Sequence, residues 1–75
     1  MKKEYVLYGT DEGEVQRFNN IVDAYKGYQE IKRIDKENYI YQSYYFQLEY
    51  EEENTIYYCD YKIYRRGNKV FGKRI

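Results

Sequence analysis

The sequence predicts an α+β fold: a four- to five-stranded antiparallel sheet with one N-terminal helix packed on one face. Three observations point there. Val15, Phe18, Val22 and Tyr25 recur at spacings of three and four, the period of a helix with one apolar stripe, with Ile21 beside them. Most of the remaining chain mixes aromatic and β-branched residues with polar ones in short runs that suit strands. Polar runs at 35–38, 51–54 and 66–68 divide those strands as turns. If residues 14–22 are extended instead, the alternative is a small all-β, SH3-like barrel.

The elements follow in order. YVLYG, residues 5–9, reads as a first strand stopped by Gly9. Asp11 is placed to cap the next helix, with Glu14 three positions on completing a capping box, and Thr10 is a second candidate cap. The helix is expected over 12–26. Asn19 and Asn20 weaken its propensity, Lys26 suits its last turn, and Gly27 suits the left-handed position beyond its end. YQEIKRI, residues 28–34, reads as a second strand, DKEN as a turn, and 39–50 as a long third strand. EEEN turns the chain into a fourth strand, 55–65. Gly67 and Asn68 can adopt the positive φ values of a tight hairpin leading to a last strand, 69–74.

Side chains alternate across a strand, so parity sorts the tyrosines. Pairing Tyr50 with Thr55 across EEEN sets Leu48 against Tyr57, Phe46 against Cys59, Tyr44 against Tyr61 and Gln42 against Ile63, all on the more apolar face. That face belongs under the helix, with Cys59 as a small buried hydrophobe. Tyr39, Tyr41, Tyr45, Tyr58 and Tyr64 fall on the other face, among Gln47, Glu49, Asp60, Lys62 and Arg66, with Tyr41 opposite Tyr64 and Tyr45 opposite Asp60. One helix covers one face of a sheet, so this second set is expected to be wet or covered by another chain.

Composition bounds the function. Seventy-five residues make one small domain, 1–75, near the lower limit for a single core. One cysteine excludes an internal disulfide, and the absence of histidine removes both the usual metal partner of cysteine and the usual proton shuttle near neutral pH. Thirteen tyrosines and three phenylalanines make the chain foldable despite a mean hydropathy of −1.08, because each ring can bury about 150–250 Å². No catalytic, phosphate-loop or calcium-loop spacing is present, so neither an enzyme, a cofactor nor a metal is expected. The lack of an apolar leader or a long apolar run predicts a cytoplasmic protein without a membrane.

Charge is zero overall but unevenly placed. Residues 1–60 hold seven Lys/Arg against thirteen Asp/Glu, and residues 61–75 hold six Lys/Arg and no acid. The expected function is a small protein-binding module acting as an inhibitor or modulator of a larger host protein. Its expected surface comprises Tyr39, Tyr41, Tyr45, Tyr58 and Tyr64 with Glu49, Glu51, Glu52, Glu53 and Asp60. The richness in Tyr, Lys, Glu, Ile and Asn, as from A- and T-rich coding DNA, and the small size suit a bacteriophage or mobile element. One alternative is single-stranded nucleic-acid binding through the basic hairpin, with Arg65, Arg66, Lys69, Lys73, Arg74 and Phe71. A structural homodimer is the other.

Overall fold

The chain runs β1 (Lys3–Gly9), β2 (Gly13–Phe18), α1 (Ile21–Glu37), β3 (Tyr44–Glu52), β4 (Thr55–Arg66) and β5 (Lys69–Arg74) in a computed structural model that describes residues 2–75. The five strands form one open antiparallel sheet in the order β2-β1-β3-β4-β5, with α1 packed on one face. The fold class is therefore the α+β arrangement expected. The sheet does not close into the barrel named as its alternative.

The helix lies nine residues further along the chain than its expected start. Residues 13–18 are a strand, and the segment read as a second strand, 28–34, is inside α1. A β-bulge explains the misleading spacing. The β1–β2 register slips between Leu7, opposite Gln16, and Tyr8, opposite Glu14, leaving Val15 as the extra residue. The slip lets Val15 and Phe18, three apart, both pack against the core from a strand.

The true N-cap is Asn20, whose Oδ1 accepts a hydrogen bond from the Asp23 backbone N–H at 2.8 Å, so Asp11 and Glu14 cap nothing. Ile21, Ala24, Tyr25, Tyr28 and Ile31 then present the real apolar stripe to the core. Gly27 sits in the helix interior, where a Cβ would be driven into the Phe18 ring.

The C-terminal end of α1 is a Schellman motif. Ile40 N–H donates to the Asp35 carbonyl at 2.9 Å and Tyr39 N–H to the Lys36 carbonyl at 3.4 Å. The position that favours glycine is held by Tyr39, at φ 56° and 80% exposed. Tyr39→Gly is expected to raise unfolding free energy by about 0.5–1 kcal/mol, because glycine adopts this conformation without the Cβ penalty. Urea denaturation checks it.

β3 begins at Tyr44, five residues later than expected, so Tyr39, Tyr41 and Gln42 belong to a loop. The β3–β4 register also differs by two: Tyr50 faces Tyr57, Leu48 faces Cys59, and Phe46 faces Tyr61. Only Glu53 and Asn54 form the turn, at φ 51° and 65°, the paired positive values of a type I′ hairpin, so β3 runs two residues further than EEEN implied while β4 starts at Thr55 as expected. A shift of two preserves parity, so each strand residue keeps its expected face.

Leu7, Phe18, Ala24, Phe46 and Ile63 form the buried core between sheet and helix, with Tyr5, Tyr28, Tyr44 and Tyr61 packed at its margin. Tyr50 and Tyr57 share the helix-side face yet lie outside that cluster. They stack on each other at 5.4 Å with Arg74 over Tyr50, and Tyr57 is 44% exposed. Cys59 is half-buried rather than buried.

Candidate functional site

The sheet face away from α1 collects most of the expected binding residues. Cross-strand pairing places Val6 beside Gln47 and Arg17, Glu49 beside Tyr58, Gln47 beside Asp60, Glu51 beside Ile56, and Tyr64 beside Phe71. Tyr45 pairs with Tyr8, and the two rings stack at 5.4 Å. Tyr45, Tyr58, Tyr64, Glu49 and Asp60 therefore share one surface, as parity predicted, and Glu51, expected in the turn, joins them as part of β3.

The half of this face over β2, β1 and β3 is organised by Arg17, a residue the sequence reading did not single out. Its guanidinium binds Glu14 through two hydrogen bonds, of 3.1 and 2.8 Å, and Glu49 through a third of 2.6 Å, with Glu4 at 3.9 Å. The bulge makes this possible, since it brings Glu14 and Arg17 to the same side of β2. These hydrogen bonds raise the Arg17 pKa and lower that of Glu14. Val6, directly opposite Arg17, is fully buried although α1 is on the other side of the sheet. The arginine stem and its neighbours cover it. Burial, and then Glu14, push the Tyr8 phenol up. Glu49 is thus already engaged within the chain.

The half over β4 and β5 is basic. Lys62 faces Lys73 and Arg66 faces Lys69, around the Tyr64–Phe71 stack at 5.7 Å; the Lys62 ammonium also lies over the Tyr64 ring at 5.5 Å. Arg65 and Arg74 fall on the helix side by parity, so the basic set expected to bind nucleic acid is divided between two faces.

Tyr39 and Tyr41 are separated from these residues. They lie in the loop after α1, 80% and 89% exposed, beside an open depression of about 700 Å³ that Lys32, Asp35 and Gln42 also line. Glu52 is the last residue of β3 and Glu53 the first of the turn, at the far end of the β3–β4 hairpin, both exposed.

Beneath the loop, Tyr44 donates its phenolic proton to Asp35, while Gln42 Nε2 donates to Tyr44 Oη at 3.0 Å and to Glu12 at 2.6 Å. Burial first, then Asp35, push the Tyr44 pKa up to about 12. A raised phenol favours the neutral form in the folded state. Its stabilisation is complete below the unfolded value of about 10 and is lost as pH rises from there through about 12. Tyr44→Phe is expected to flatten the stability loss in that window, and to remove the latest-titrating tyrosinate from a UV titration. An unchanged titration curve would exclude Tyr44 as that group.

Among the described residues, no group of three or more metal-binding side chains is assembled, and no helix is long and apolar enough to cross a membrane. Comparison with known proteins finds no matching family model, no matching curated protein and no matching solved structure.

Proposed function

We propose that the chain is a small non-enzymatic protein-binding module that docks through the outer face of its sheet. The partner that fits is a larger protein offering an apolar patch flanked by basic groups on one side and acidic groups on the other, which the module inhibits or modulates by covering it. One observation carries the reading: the half-exposed rings of Tyr45 and Tyr58 share an uncovered face whose one half is acidic and whose other half is basic. Rigid tyrosine rings bury area at low entropic cost, and a two-signed surface fixes the orientation of an incoming partner. A cytoplasmic host protein met by a phage or mobile-element product is the setting that suits the residue bias.

Affinity capture with the wild-type chain and a Tyr45→Ala/Tyr58→Ala variant tests this. The variant is expected to keep the wild-type circular dichroism and to bind the captured protein about tenfold more weakly or worse. Tyr41→Ala, on the separate loop, is expected to bind normally. A folded double variant with undiminished affinity would remove the outer face from consideration.

A second reading has its own observation. The Tyr64–Phe71 stack lies among Lys62, Arg66, Lys69 and Lys73, an arrangement that suits single-stranded nucleic acid. The carboxylates of the neighbouring half oppose a phosphate backbone continuing across the sheet, which ranks this reading second. Arg66→Ala/Lys69→Ala should weaken oligonucleotide binding and flatten its salt dependence. No measurable binding at low salt disposes of it.

A further inference from the structure

Strand β4 changes neighbours along its length. Thr55 to Tyr61 pair with β3, Tyr61 to Arg66 pair with β5, and the next residue after β5, Ile75, donates its N–H to the Asp60 carbonyl at 3.1 Å. Among the described residues, 55–59 therefore have no strand on the β5 side. This open edge reads Thr-Ile-Tyr-Tyr-Cys, and all five side chains are uncharged. Ile56, Tyr57 and Tyr58 are 53%, 44% and 58% exposed. The other open edges are guarded in the usual ways. β2 carries Glu14, Arg17 and the bulge; β5 carries Lys69, Lys73 and Arg74; and β4, where it has parted from β3, carries Lys62, Arg65 and Arg66.

We propose that residues 55–59 pair antiparallel with the same segment of a second copy of this chain, about a twofold axis through Tyr57. Three features select that occupant. The segment is self-complementary: Thr55 meets Cys59, Ile56 meets Tyr58 and Tyr57 meets its own copy, so apolar side chains line both faces of the junction without like charges. Its length fixes the register, because a centre displaced toward Asp60 runs into Ile75 and one displaced toward Asn54 leaves edge unpaired. The open slot also continues the line of β5. An antiparallel second copy therefore brings its acidic hairpin end, Glu51 to Glu53, toward the basic end of β5 at Lys73 and Arg74. The uneven charge of the sequence is complementary in this pairing. The contact extends the sheet in its own plane; it touches the outer face only at Ile56 and Tyr58 and leaves Tyr45 and Tyr64 uncovered, and its cross-linking readout does not depend on the docking reading above.

Engineered cross-linking of the full chain tests the register directly. In Thr55→Cys, the new thiol lies opposite the second copy's Cys59, so oxidised glutathione is expected to yield a reducible covalent dimer. Within one strand the two thiols are four residues apart, roughly 14 Å, which is beyond disulfide reach. Two copies of Cys59 are equally distant, so the wild type should not cross-link, and Ile56→Cys, on the opposite face from Cys59, should not either. Light scattering should give the wild type twice the mass of one chain, and Tyr57→Lys, which sets two ammonium groups face to face, a single-chain mass with retained circular dichroism. A wild type still monomeric at about 1 mM, where even millimolar association is substantially populated, overturns the proposal. So does a dimer in which Thr55→Cys cross-links no better than Ile56→Cys. If Tyr57→Lys fails to fold, these two readouts still decide.

Discussion

Gly27→Ala is expected to destabilise the protein by about 1–2 kcal/mol, against the usual rule for a glycine inside a helix. Alanine there ordinarily gains about 1 kcal/mol through propensity. At this position the added carbon has no space, because the buried Phe18 ring lies against the Gly27 backbone and is held on its other sides by the core. Overpacking of that kind costs about 1–3 kcal/mol. Gly27→Val, larger and β-branched, is expected to lose about 3 kcal/mol or more. Phe18→Leu in the Gly27→Ala background should recover part of the loss, so that a double-mutant cycle by urea denaturation shows favourable coupling. Additive or stabilising values would mean that helix and strand do not approach through Gly27.

Leu7→Ala is expected to cost about 3–5 kcal/mol. Leu7 is fully buried at the centre of the sheet, opposite Gln16 on one side and Phe46 on the other, beneath the helix. A domain of this size commands only about 3–5 kcal/mol in total, so the variant should be largely unfolded at room temperature. Circular dichroism and near-UV signals check it. A cooperative transition within about 1 kcal/mol of the wild type would place the core elsewhere.

The architecture was legible where period and turn chemistry agreed. The strands ending at Gly9, running from Thr55 and running from Lys69, and the Gly67–Asn68 turn, lie where the sequence put them, although in that turn Gly67 alone, and not Asn68, takes a positive φ. The helix was misplaced because the bulge at Val15 gives a strand the i, i+3 spacing of a helix. Asn20 was read as a weak interior residue when it is the cap, and Gly27 as an end when it is a point of close approach. Of the outer sheet face, Tyr45, Tyr58 and Tyr64 were recoverable from parity alone, which survived a register error of two. Tyr39 and Tyr41 were not, because nothing in YIYQS marks it as a loop. Arg17 could not be recognised from its own segment. Its role depends on Glu49, thirty-two residues away, arriving beside it.

The placement of α1 between β2 and β3 also orders events in time. Three of the four strand pairings are hairpins that close over a few residues, whereas β1 meets β3 only after the chain has returned from Gly9 to Tyr44. Closing that loop costs entropy before any contact repays it, so β1–β3 association is where the folding barrier should lie. A milder change than alanine at Leu7, such as valine, should then slow refolding more than it speeds unfolding. Until β1 docks, the three-stranded β3–β4–β5 unit carries Phe46 and Leu48 on an unprotected edge. The slowest step of folding is thus also the interval in which this small, tyrosine-rich sheet is most exposed to pairing with the wrong strand.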